Sequence, residues 1–263
     1  MGSNFLNAIL EYKHRLLAQK KDFYAPLRKK AETAAASEKK NSFKTSIAQP
    51  GQINLIAEIK KASPSAGVIR KNFDVVQIAK IYAEHRAAAI SVLTEDKYFL
   101  GQPEYVKTVS QCVDLPVLTK DFIISDGQIA EAKVNGAAAV LLIVAILGDS
   151  ELKNFLELAR SLNLDCLVEI HDEKELDRAM KAGVQIIGVN NRDLTTLEVN
   201  LKTSQRLIPR IPKDKMIVAE SGLRTHDDIR RIQDLGAHAV LIGETFMRAK
   251  DIGQKIEEVI YGR

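Results

Sequence analysis

The chain has 263 residues, of which 46% are apolar and 27% charged, and carries a formal charge of +4. That is enough apolar material for one large core, and the charges are too well mixed for a disordered chain. No apolar run approaches a membrane span, and without Trp or a concentrated basic face a nucleic-acid partner is not expected either.

Residues 1–50 do not share the repeating pattern of the later chain and are read as an N-terminal helical extension. Phe5, Leu6, Ile9, Leu10, Leu16 and Leu17 follow helical spacing, which predicts one amphipathic helix. Pro26 interrupts, and a second helix is expected over 27–36. The basic runs Lys20-Lys21, Arg28-Lys29-Lys30 and Lys39-Lys40 read as solvated helix faces. Such an extension either plugs the floor of the next domain or covers its working face, and the residues do not choose. The N-terminus lacks the basic-then-apolar order of a signal peptide, so a cytoplasmic location is expected.

Residues 51–263 are read as one domain built on eight short runs: INLIAEIK, AAAISVLTE, LPVLTK, GAAAVLLIV, DCLVEI, VQIIGVNN, KMIVAES and AHAVLIG. Each is β-branched-rich and nearly continuous in apolar character, as parallel strands covered on both faces should be. They recur roughly every 20 to 35 residues, a supersecondary period. Amphipathic segments such as VVQIAKIYAEHR, SELKNFLELARSLN and THDDIRRIQDL lie between them. Gly136, Gly183 and Gly236 close helices just before the next strand. Eight βα units predict a (βα)8 TIM barrel, for which about 250 residues is the usual size. A doubly wound open sheet is the alternative. It would more often place a glycine-rich phosphate turn after its first strand, and GxGxxG and GxxxxGK[ST] are both absent. No further domain is expected after the eighth helix.

The strand ends carry the chemistry. In IAEIKKASPS, Glu58 and Lys60 stand two apart and so share one face of a strand. Glu95, Lys120, Glu169, Asn190, Glu220 and Ser221 end other strands. The mouth of a barrel would gather these residues, with Arg192, into one cleft. Opposite charges about 4 Å apart interact by roughly 4 kcal/mol at an effective dielectric of 20, so each holds its neighbours ionised. A salt-bridge ring that merely closes the barrel is the plainer reading, but Lys and Glu are rarely buried without a functional reason. Glu220-Ser221-Gly222 and Gly243-Glu244 end the seventh and eighth strands, where barrels commonly bind phosphate through backbone N–H groups. The two cysteines and five histidines show no ligand spacing, so no metal is expected, and lone cysteines suit a reducing compartment.

Seven segments in order carry a closer likeness: Ile56 to Gly67, Pro116 to Ile123, Val140 to Leu147, Leu167 to Leu176, Ile187 to Thr196, Ala219 to Leu223 and Leu241 to Met247. Together with the lead-in NSFKTSIAQ, the chain resembles the indole-3-glycerol phosphate synthases over nearly its whole length. The resemblance implies a carbon–carbon carboxy-lyase of tryptophan biosynthesis. It would convert 1-(2-carboxyphenylamino)-1-deoxyribulose 5-phosphate into indole-3-glycerol phosphate, CO2 and water, as a monomer and without a cofactor. The small phosphorylated substrate would be its partner. Lys120 would be the acid for ring closure. Lys60 with Glu58 or Glu169 would serve the dehydration, while Asn190, Glu220 and Ser221 orient the substrate. Ser63, Lys61, Arg192, Gly222, Gly243 and Glu244 would bind its anionic groups. Phe99, Phe122, Leu141 and Leu194 would line the slot for the aromatic ring.

Two departures from the family pattern stand out. Many members carry Tyr where this chain has Gly127, which is expected to alter only the entry to the following helix. Some place another lysine at Ala62, so phosphate affinity would lean on Lys61 and Arg192. Rival enzymes on the same fold are an isomerase with a Cys/Asp pair, for which neither cysteine is at a strand end, and a Schiff-base aldolase. A barrel kept as a binding module would be expected to have lost its strand-end acids and lysines.

Overall fold

The computed structural model describes residues 5–37 and 43–263; the Lys39-Lys40 run lies outside them. The eight runs form the strands β1 (Asn54–Ile59), β2 (Ala89–Leu93), β3 (Val117–Lys120), β4 (Ala139–Ile143), β5 (Asp165–Ile170), β6 (Ile186–Asn190), β7 (Met216–Glu220) and β8 (Ala239–Ile242). All pair in parallel, and β1 pairs with both β2 and β8, so the sheet closes into a barrel. The predicted fold is therefore the observed one.

Thirteen α-helices are assigned among the described residues. The first four precede the barrel: α1 (Phe5–Gln19), α2 (Lys21–Tyr24), α3 (Leu27–Ser37) and α4 (Phe43–Ser46). The others are α5 (Val75–Glu84), α6 (Glu104–Cys112), α7 (Asp126–Val134), α8 (Asp149–Ser161), α9 (Glu173–Lys181), α10 (Lys202–Leu207), α11 (His226–Asp234), α12 (Glu244–Met247) and α13 (Ile252–Ile256). Starts follow capping chemistry: the Asp74, Asp172 and Thr225 side chains accept backbone N–H groups at the heads of α5, α9 and α11. Gly136, Gly183 and Gly236 take the left-handed conformation expected of helix-ending glycines.

Two cores follow from the period of two along the strands. Outward residues such as Leu55, Ala57 and Ile59 pack beneath the helices, whereas Ile56, Leu118, Leu141, Leu167, Ile186, Val218 and Leu241 fill the barrel. The N-terminal helices do both jobs between which the sequence could not choose. Phe43 and Ile47, around α4, join the barrel's inner core, and the Lys44 N–H donates to Asp165 Oδ2 (2.9 Å) at the start of β5, which marks the floor. At the other end α1 lies over the C-terminal ends of the strands. There Phe5 meets Tyr98 and Phe122 edge-on at 5.2 and 6.3 Å.

The apolar stripe of α1 also carries a surprise. Its buried residues are Ile9 and Lys13, and Lys13 pairs with Asp121 at 2.5 Å. Asp121 in turn accepts the Thr94 hydroxyl and the Phe122 N–H, which satisfies a buried charge pair that would otherwise be costly.

Candidate active site

Strand geometry explains why the polar residues converge. The inward positions of β1, β3, β5 and β7 read Ile56 then Glu58, Leu118 then Lys120, Leu167 then Glu169, and Val218 then Glu220. Apolar side chains fill the lower layers, and the last inward position of each of these strands is charged. Asn190 ends β6 in the same layer, whereas Leu93 and Ile143 keep β2 and β4 apolar. Above this layer lies a cavity of about 550 Å³. That volume suits a small organic substrate.

Lys120 spans the mouth. Its Nζ lies 3.3 Å from Glu169 Oε2 and 3.1 Å from Glu220 Oε2, while Lys60 Nζ lies 2.5 Å from Glu58 Oε2. The side chains of the three glutamates are almost wholly buried, at 1–3% exposure, while those of the lysines keep 13–15% toward the cavity. Carboxylates thus form the floor and ammonium groups face whatever enters. Glycines make room for them: a Cβ at Gly188 would collide with the Glu220 carboxylate, and one at Gly243 with Glu58.

Electrostatics then separate the two carboxylates that flank Lys120. Burial alone would strip the proton from Lys120, but the charges of Glu220, Glu169 and Glu58 outweigh it and hold its pKa above the ordinary lysine value. Burial also disfavours the Glu169 anion, yet Lys120, His171 and the Asn190 amide pull its pKa well below the usual carboxylate range. Glu220 goes the other way. Burial and the nearby Glu169 charge overcome Lys120 and push it up to about 7.

Of the residues singled out from the sequence, Glu58, Lys60, Lys120, Glu169, Asn190, Arg192, Glu220, Ser221, Gly222, Gly243 and Glu244 all line this cavity. Phe99, Phe122, Leu141 and Leu194 form its apolar side, with the two phenylalanine rings 6.3 Å apart. Ser221 and Gly222 both adopt left-handed backbone, and a Cβ at Gly222 would come within 2.5 Å of Val199. Asn191, beside the expected Asn190, secures this turn by donating to the carbonyls of Glu220 and Ser221.

Ser63 and Lys61 were expected at the phosphate end, and neither lines the cavity. The chain turns into a small hairpin just after Lys60, with two-residue strands Ala62–Ser63 and Gly67–Val68. Ser63 Oγ accepts the Ala66 N–H, and the Lys61 carbonyl accepts those of Ile69 and Arg70. Arg224, Arg248 and Lys255 are cavity-lining cations that sequence reasoning missed. Glu244 sits between two arginines, 2.9 Å from Arg248 and 3.6 Å from Arg192.

Glu95 is not a cavity residue. It accepts the N–H groups of Lys97, Tyr98 and Phe99 and so shapes the loop that carries Phe99. His171 was also missed, because the histidines were weighed as metal ligands. Its signal was available in the spacing Glu169-x-His171-x-x-x-Glu175.

A charged layer at the C-terminal ends of the strands, in a cavity lined also by apolar side chains and arginines, defines a (βα)8-barrel enzyme for a small anionic substrate. Comparison with known proteins narrows that class. The family profile described as indole-3-glycerol phosphate synthase matches residues 6–259. The indole-3-glycerol phosphate synthase of Acetivibrio thermocellus is 52% identical over 208 residues, covering 79% of this chain and 80% of its own. That of Alkaliphilus metalliredigens is 41% identical over 257 residues, covering 98% of each. The chain belongs to the indole-3-glycerol phosphate synthase family. Among solved structures, a mutant tryptophan synthase α-subunit from Pyrococcus furiosus superposes with a TM-score of 0.62 at 16% identity, covering 81% of this chain and 99% of that one; it shares the fold.

Proposed function

We propose that this chain closes the indole ring: it converts 1-(2-carboxyphenylamino)-1-deoxyribulose 5-phosphate into indole-3-glycerol phosphate, CO2 and water. The observation that carries this reading is Lys120, an ammonium held charged between Glu169 and Glu220 beside an apolar slot. The ring carbon that bears the carboxylate attacks the ketone carbon, and the carbonyl oxygen needs a proton as that bond forms. Lys120 supplies it. Glu169 stays ionised, keeps Lys120 charged and offsets the positive charge that develops on the ring. Breaking the carboxylate bond returns its electron pair to the ring, and CO2 leaves. In the last step Lys60 protonates the departing hydroxyl, the ring nitrogen's lone pair assists its loss as water, and Glu58, two residues away, takes a proton from the methylene carbon next to that nitrogen, which leaves the aromatic indole with its N–H. Acids and bases complete every step, so no cofactor is required.

The phosphate belongs at the end formed by Gly222, Gly243 and the cations Arg192, Arg248 and Arg224, and the aromatic ring lies between Phe99, Phe122, Leu141 and Leu194. Ser221 and Asn190 orient the chain that joins them. Residues 51–263 act as the catalytic barrel and residues 1–50 as an extension packed upon it. The enzyme works as a monomer in the cytoplasm; free Cys112 and Cys166, and exposed large apolar residues that stand singly along the chain, support both statements.

A Schiff-base aldolase is disfavoured by the same surroundings. Its lysine must be neutral to attack a carbonyl, whereas those around Lys120 hold the proton on. The test is stoichiometry: the purified chain releases one CO2 per indole formed, and borohydride added during turnover leaves the protein unmodified. A borohydride-trapped adduct on Lys120 or Lys60, or CO2 release without indole, would overturn the assignment.

A further inference from the structure

Behind the cavity wall stands a charged residue for which ring closure itself has no use. His171 follows the end of β5 and does not line the cavity. Its Nε2 lies 3.2 Å from Glu169 Oε1, an ion contact whose angle falls short of a good hydrogen bond. On its other side Nδ1 lies 3.0 Å from Glu175 Oε2, and the same oxygen accepts the His171 backbone N–H at 2.8 Å. Glu175 therefore grips residue 171 twice, by ring and by backbone. Glu175 is itself fixed because its N–H caps α9 on Asp172.

The charged groups around the imidazole come from several elements. They are Glu169 on β5, Glu175 on α9, Asp193 in the segment after β6, and Arg206 on α10, whose guanidinium reaches the His171 carbonyl at 3.5 Å. Lys120 lies beyond Glu169. Anions face the ring itself, and the nearest cation on its own side meets its backbone instead. A buried imidazole between two carboxylates is a cation; burial opposes the charge, but Glu169 and Glu175 together outweigh it and raise the ring to about 10.

We propose that His171 is a positioning residue: as a permanent imidazolium clamped by Glu175, it keeps Glu169 ionised and thereby decides which of the two carboxylates beside Lys120 can carry a proton. The side chains form one chain of alternating charge: Glu175, His171, Glu169, Lys120, Glu220. With a cation on either side Glu169 has no use for a proton, whereas among the described residues Glu220 pairs with Lys120 alone. Remove the His171 charge and the asymmetry weakens. Glu169 then takes a proton at higher pH and Lys120 loses part of the field that keeps it an acid. The inference rests on the ring-closing reading for its kinetic consequence, but the charge chain itself can be measured without turnover.

Two measurements on the whole chain test it. In the first, 15N spectra of the wild-type protein follow the His171 ring through pH 6 to 8.5, and 13C spectra follow the Glu169 carboxyl in wild type and His171→Gln. The expected results are an imidazolium that persists above pH 8 and a Glu169 midpoint that rises by at least about one pH unit in the variant. One unit corresponds to a tenfold change. In the second, pH profiles of kcat and KM are compared for wild type, His171→Gln and Glu175→Gln. The acid limb of kcat moves to higher pH in both variants, by the same interval as the Glu169 midpoint, while KM changes by less than about threefold. Glutamine keeps a hydrogen bond and loses the charge, so a merely structural role would lower kcat evenly at all pH values. That even loss, or a neutral His171 ring at pH 7.5, would overturn the proposal. If His171→Gln does not fold, the wild-type ring titration and Glu175→Gln decide the matter. Absence of indole formation with the titrations as expected would refute the reaction and leave the charge chain standing.

Discussion

Glu58 and Lys60 show how much chemistry one period of two can reveal. Two ionisable groups on one face of an otherwise apolar strand require a place where charge is tolerated, and the open end of a barrel is such a place. The same period located Lys120, Glu169 and Glu220, because each follows an apolar inward residue two positions earlier. What it could not supply is the protonation state, which depends on neighbours far apart in sequence. Glu220 illustrates the point. Its pKa stands at about 7 in the folded protein against 4.5 for the unperturbed group. The native state therefore binds more protons than the unfolded chain between those values, so this contribution to stability is complete below about pH 4.5 and lost as pH rises through 7. Two and a half units amount to about 3 kcal/mol. Glu220→Gln removes that loss, so its unfolding free energy relative to wild type should climb by about 3 kcal/mol between pH 4 and pH 8 in urea titrations. A difference that stays flat over this range would show that Glu220 is ionised throughout. Glu169, with its pKa lowered, has the opposite sense: its contribution is present above the usual carboxylate range and fades in acid.

Strands were more legible than the segments around them. All eight runs appear as barrel strands, because continuous β-branched sequence between helix-closing glycines has few other homes. The hairpin Ala62–Ser63/Gly67–Val68 was not legible, because two-residue strands are too short for any period. The N-terminal helices were foreseen as helices but not as partners. Lys13 could not be recognised from an apolar stripe, since its reason for burial, Asp121, is a residue of the barrel.

Gly127 has a similar history. Its helix entry is shaped by α2, since a Cβ at Gly127 would lie 2.7 Å from the Tyr24 ring, whose hydroxyl reaches Glu131 at 3.3 Å. A ring from the extension thus fills the space beside Gly127. Gly127→Tyr should accordingly cost about 1–3 kcal/mol through overpacking, and Tyr24→Ala in the same chain should recover at least about 1 kcal/mol of it. Denaturant titrations of the two single variants and the double variant measure this coupling. Strict additivity would mean that the two residues do not share the space.

At the scale of the whole molecule, the barrel brings side chains from β1, β3, β5, β6 and β7 into one layer that no local stretch of sequence contains. Closure of the sheet makes Lys120 reach both Glu169 and Glu220, two and four strands away. The helices contribute by burying the outer face of each strand and by lending α1 to the aromatic side of the mouth. Such an assembly is costly for folding because charge is buried at its centre, and the order of the charges is what the proposed chemistry requires of it. Lys120 is the residue on which the proposed chemistry turns. The measurement that tests its role most directly is indole fluorescence during turnover of 1-(2-carboxyphenylamino)-1-deoxyribulose 5-phosphate by wild type and Lys120→Met, with product binding titrated in parallel. Wild type should form indole, and Lys120→Met should bind product within a few fold yet form indole at least about a hundredfold more slowly. No indole from the wild type, or an undiminished rate in Lys120→Met, would contradict it.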